Sequence, residues 1–172
     1  MKRVFFIFLL FTSLLTYGQT AEVAKYKSMF TLNFIRYIGW PEASKQGDFV
    51  IGVVKDNIIA ENLKSQTAGK KFGYQTIVIK EFKSVEEITD CQLLYFSNSV
   101  NFSRNAELVM EKLKGKNSLV ITETEGAIKN GSMINFVVRD DKLKFEISNA
   151  NAEAFGIKFS SSLTSLSNAI VK

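Results

Sequence analysis

Histidine is absent from the 172 residues, cysteine occurs once, as Cys91, and proline once, as Pro41. Without histidine there is no Ser-His or Cys-His nucleophile pair and no histidine-based metal site. A single cysteine closes no intrachain disulfide, so any disulfide has to join two molecules. So little proline, with 46% hydrophobic and 23% charged residues, excludes a disordered or collagen-like chain. What is present is enough apolar side chain for one ordinary core.

Lys2 and Arg3 precede an apolar run from Val4 to Leu15, and Thr16-Tyr17-Gly18 supplies small residues for cleavage. Residues 1–18 therefore read as a removed export signal, and 21–172 as one domain. The run of about twelve residues is short of the roughly twenty needed to cross a bilayer. Loss of Lys2 and Arg3 lowers the formal charge from +5 to +3. The remaining lysines are scattered among acids and build no basic, aromatic-interleaved groove, so nucleic acid is not an expected partner.

Between Ala21 and Gly39, Val23, Tyr26, Phe30, Phe34 and Tyr37 recur at spacings of three and four, with Leu32, Ile35 and Ile38 as a second stripe. The spacing predicts a helix buried on much of its surface and ended by Pro41. Phe49 to Val54 suits a buried strand, and Asp56 a cap for a helix with Ile58, Ile59 and Leu63 on its inner face. Tyr74 to Ile79 reads as a strand, Ser84 with Glu87 as a capping box for a helical turn, and Gln92 to Phe96 as a third strand. A helix from about Ser103 to Lys114 stops at Gly115, and Leu119 to Thr122 follows as a strand. This alternation predicts an α/β fold: a three-layer domain with a mostly parallel sheet flanked by helices.

Met133 to Arg139 and Lys142 to Ser148, joined by Asp140-Asp141, predict a C-terminal antiparallel hairpin. Counting out from the turn pairs Val138 with Leu143, Phe136 with Phe145 and Ile134 with Ile147 on a core face. Asn135 then lies opposite Glu146 on the other face, where a carboxylate is solvated or open to a partner. A short helix capped by Asn149 and ending at Gly156, then a final helix carrying Leu163, Leu166 and Ile170, complete the chain.

The chemical motifs are thin. No G-x-G-x-x-G occurs, and Gly115-Lys116-Asn117-Ser118 has Met110 where a phosphate loop needs glycine. Glu123 and Glu125 beside Thr122 suit a capped turn, and Asp140-Asp141 a bend, better than acid-base chemistry or calcium binding. Ser160 to Ser162 lack a base and suit helix capping. Cys91 reads as a buried thiol, with an exposed link between two copies, and so a homodimer, as the alternative. Trp40 is either a core lid or an aromatic anchor for a partner. These residues point to no catalytic site, metal or cofactor.

Several short motifs occur in a telling order: Phe34-Ile35-Arg36-Tyr37-Ile38-Gly39-Trp40-Pro41, Phe49-Val50-Ile51-Gly52-Val53, Cys91 with Leu94-Tyr95-Phe96, Leu119-Val120-Ile121-Thr122, Gly126, Gly131 to Ile134, Phe145-Glu146-Ile147, and Gly156-Ile157 with Ser160-Ser161 and Leu163. Together, from about Tyr26 to the C-terminus, the chain resembles the YfiR family of exported bacterial proteins. It departs from that pattern at Ser148, where asparagine usually follows Phe-Glu-Ile, at Ser132, in place of a second glycine, and at Ser162, where lysine is common. The resemblance implies a periplasmic, non-catalytic regulator that represses the periplasmic part of an inner-membrane diguanylate cyclase, with cyclic di-GMP as the downstream signal. Sensor kinases are the other receptors it implies. Ile134, Asn135, Phe145, Glu146 and Asn149, with Trp40, are the expected partner-binding residues. A periplasmic small-ligand-binding protein, with a pocket near the strand ends, is the alternative.

Overall fold

A computed structural model describes residues 21–167 and 169–170; the export signal expected over residues 1–18 lies outside the described residues. Helix α1 occupies residues 21–36. It is followed by β1 (Ile38–Gly39), β2 (Phe49–Val54), α2 (Asn57–Thr67), β3 (Lys71–Phe72), β4 (Gln75–Phe82), β5 (Leu93–Phe96), α3 (Phe102–Leu113) and β6 (Leu119–Thr122). The last third contains β7 (Ile134–Arg139), β8 (Lys142–Ile147), α4 (Asn149–Ala154), β9 (Lys158–Phe159), α5 (Ser161–Leu166) and β10 (Ala169–Ile170).

The strands form one sheet in the order β10-β8-β7-β6-β5-β2-β4-β3, and β1 pairs with β9 in a separate two-stranded ribbon. Pairing is parallel from β4 through β2, β5 and β6 to β7. It is antiparallel in the hairpins β3–β4 and β7–β8, and in the separate β1–β9 ribbon. Helices cover both faces, which is why β5 and β6 are buried at every residue and read as unbroken apolar runs. Phe34 of α1 packs at a tilt against Phe136 and Phe145 on one face, while Phe102 of α3 meets Phe96 edge-on across the other. Gly52 sits where this second face is tightest: a Cβ there would lie 2.6 Å from the Phe82 ring.

Local chemistry sets most boundaries. Asp56 accepts a hydrogen bond from the Ile59 amide at 2.9 Å and opens α2, and Asn101 does the same for α3 from Arg104 at 3.0 Å. Asp140 and Asp141 have φ of +52° and +56°, the two left-handed residues that a tight hairpin turn requires. The register is the one counted from that turn, including Phe136 opposite Phe145 and Asn135 opposite Glu146.

Five local expectations are corrected. Helix α1 ends at residue 36, not at Pro41, because the Trp40 indole N–H donates to the Ile35 carbonyl at 3.0 Å and Ile38–Gly39 leave the helix to pair with β9. Ser84 starts no helix; the Glu87 carboxylate instead accepts from the Lys83 amide and closes a turn. Tyr74 is a fully exposed turn residue between β3 and β4, a hairpin the periodicity did not reveal. Ser148, not Asn149, caps α4 by accepting from the Asn151 amide. Ile170 belongs to strand β10 and lies outside α5, which Ser160 caps.

Candidate partner-binding surface

Helix α1 packs on the sheet through an unexpected side. Ala24, Lys27, Ser28, Thr31, Phe34 and Ile35 face inward, with Ser28 and Thr31 completely buried. Val23, Tyr26, Met29, Phe30 and Tyr37 remain 37–47% exposed. Small side chains let the helix approach closely, and Lys27 reaches down to pair with Glu123 just beyond β6. The Tyr95 hydroxyl donates to the same carboxylate. Burial first, and then the charge of Glu123, hold this hydroxyl well above the ordinary phenol range, so it stays a neutral donor. The cluster fixes the rotation of α1, and with it which residues turn outward.

The residues predicted to bind a partner are divided by the fold. Ile134 is inaccessible, and Phe145 is buried with its ring centroid 4.7 Å from that of Phe34, so both fill the core. Trp40 is a core lid, buried edge-on against Phe49. Asn135 does share a face with Glu146, but that face is no solvent surface at this point: Asn135 is wholly buried, because β7 is an inner strand covered on both sides. Its Oδ1 accepts from the Thr122 hydroxyl at 2.7 Å, so Thr122 serves this contact and caps no turn. The Asn135 Nδ2 has no hydrogen-bond partner among the described residues.

Only Glu146 and Asn149 of this set are partly exposed. Glu146 lies 3.4 Å from Arg139 Nη2, and the same guanidinium meets Glu125 at 3.0 Å. The hydrogen bond and charge of Glu125, reinforced by Glu146, raise the Arg139 pKa and keep it a cation.

The opening that sequence periodicity did not reveal lies between α1, β8 and α5. It is a groove of about 480 Å³ lined mainly by Phe30, Phe34, Tyr37, Leu143, Phe145 and Leu166, with Asn33, Lys144 and Ser167 as its polar contributors. Leu166 is 62% exposed at its rim. The missed signal was in the sequence: Ala24, Ser28, Thr31 and Ile35 keep helical spacing as well as the large residues do. Their small size marks the side on which a helix can come close to a sheet.

The fold is a mixed α/β domain with aromatic side chains turned outward from one helix and continued by an apolar groove. The chain belongs to the YfiR/HmsC-like family, whose model matches residues 24–168. A search of curated proteins finds no match. Among solved structures it is similar to a conserved domain protein from Vibrio cholerae O1 biovar El Tor, with TM-score 0.59 and 10% identity over 86% of this chain. The ABC domain in complex with L-tryptophan from Streptococcus pneumoniae gives TM-score 0.50 and 10% identity over 71%. The chain spans 60% and 55% of the lengths of these two structures, and at such identity the likeness is one of fold.

Proposed function

We propose that the protein is a non-catalytic periplasmic regulator that holds the periplasmic part of an inner-membrane signalling protein in its inactive state. The receptor class is a diguanylate cyclase, so that cyclic di-GMP is the output, with a sensor kinase as the other receptor. Membership of the YfiR/HmsC-like family supports the class. The observation that carries the binding surface is the outward row Tyr26, Met29 and Phe30 on α1, with Tyr37 just past its end, leading into the groove beside β8 and α5. A contiguous apolar patch of this kind marks an interaction site. Repression then follows from tighter binding to the receptor's inactive state. Among the described residues no helix is long and apolar enough to cross a membrane.

The test is co-expression of the full chain with a candidate membrane cyclase, reading cyclic di-GMP and copurification from detergent-solubilised membranes. Phe30→Asp with Leu166→Asp should still fold, with a lowered melting temperature because the Phe30 ring packs against Phe34, Phe136 and Phe145, and should lose repression and copurification together. A double variant that folds and still represses overturns this surface. A second reading, capture of a small apolar ligand, rests on the groove's volume, which falls within the range of ligand pockets. It requires saturable binding by the protein alone.

A further inference from the structure

The groove runs along an unfinished strand edge. Three successive residues of β8, Leu143, Lys144 and Phe145, all line it, although neighbouring side chains on a strand point to opposite faces. The groove therefore reaches around the edge of the strand, to its backbone. On that edge β10 pairs only with Glu146 and Ile147. No described residue pairs there with Lys142 to Phe145. In a two-residue hairpin the residues flanking the turn, Arg139 and Lys142, exchange hydrogen bonds. By alternation Leu143 turns its N–H and C=O outward, and Phe145 its N–H. Among the described residues these backbone groups have no strand partner, and they border an apolar trough.

We propose, resting on the regulator reading above, that the receptor supplies an extended segment which adds to β8 as a further strand, with apolar residues at alternate positions and acidic residues between them. The apolar set enters the trough between Leu143, Phe145, Phe30 and Leu166. The acidic set faces Lys142 and Lys144, on the opposite side of β8 from Leu143 and Phe145, and there competes with Asp140, which lies 3.1 Å from Lys144. Opposite charges on neighbouring strands attract, and main-chain bonds supply the rest of the affinity. Lysines on the edge also discourage a second copy of this chain, since two such edges would set like charges together.

The probe is a blocked six-residue peptide of alternating valine and glutamate, titrated into the full chain by fluorescence anisotropy. N-methylation of alternate amides removes hydrogen bonds from one edge of the peptide only. One of the two methylation patterns should weaken binding at least tenfold while the other leaves it nearly unchanged. Replacing glutamate by lysine in the peptide should also weaken binding, and Lys142→Glu with Lys144→Glu should reverse that preference. Equal effects of both methylation patterns, or no binding at millimolar peptide, overturn strand addition. A dimer in sedimentation whose formation excludes the peptide assigns the edge to a second copy and also overturns it. If strand addition fails while Phe30→Asp with Leu166→Asp still abolishes repression, the regulator reading stands; if both fail, the surface is wrong.

Discussion

Lys27 and Glu123, 96 residues apart in sequence, form an ion pair between the inner side of α1 and the loop after β6. Their side chains are only 16% and 5% exposed. In such a setting one charge without the other is costly, because the remaining ion has little water to turn to. Lys27→Ala should therefore destabilise the protein by about 3–5 kcal/mol. Lys27→Met combined with Glu123→Gln should cost clearly less than either change alone. Urea denaturation of the two single variants and the double variant measures the coupling.

Cys91 is 3% exposed, unpaired, and pushed up to about 12 by burial from the ordinary 9.0. Native thiol labelling should therefore be slow, and fast in denaturant. The same burial makes the protein sensitive to alkali. The unfolded thiol loses its proton near pH 9 and the folded one only near 12, so stability is complete below pH 9 and falls as pH rises between them. Tyr95, also raised by burial, adds to the fall from about pH 10. Each group contributes a slope of roughly 1.4 kcal/mol per pH unit. Cys91→Ala should leave stability flat to about pH 10, measured by denaturation across a pH series.

Asn135 is a buried polar side chain with one of its two groups satisfied. Asn135→Ala should cost about 1–3 kcal/mol, since it opens a cavity and removes the bond from the Thr122 hydroxyl, which keeps the Ser132 hydroxyl as a neighbour at 2.7 Å. Asn135→Asp should be worse at pH 7, because burial disfavours the charged carboxylate. Its folded pKa is then raised, so stability is greatest in acid and falls as pH rises through that value. A melt of the variant that improves on acidification checks the sign.

Glu146→Lys sets a second cation beside Arg139, which loses one of its two carboxylate partners. Arg139 keeps contact with water but the Glu146 side chain is only 17% exposed, so the cost should lie between those of a surface pair and a buried one, at about 1–3 kcal/mol. In an Arg139→Ala background the same change should cost nearly nothing. Melting curves of the four proteins decide it, and a collapse of Glu146→Lys would mean that the carboxylate has a structural partner other than Arg139.

Much of the sheet is legible in the amino-acid sequence. Asp140-Asp141 between two apolar runs specifies a two-residue turn, and the turn sets the register of every pair in the hairpin, because a strand's side-chain period is two. The buried strands β2, β5 and β6 and the caps at Asp56 and Asn101 follow from equally local chemistry. Asn135 opposite Glu146 was legible as a pair; their exposure was not, since burial of a strand face depends on what packs over it.

The sequence by itself determined the family pattern, the α/β alternation and the hairpin register, all of which depend on residues near one another in the chain. Only the tertiary structure decided which side of α1 meets the sheet. Both stripes of that helix have helical spacing, and hydrophobicity alone favours burying the larger one. Close approach of Ala24, Ser28 and Thr31 and the pairing of Lys27 with Glu123 select the other. These contacts join distant segments, so no local pattern contains them, and they leave Phe30 and Tyr37 facing outward at the groove.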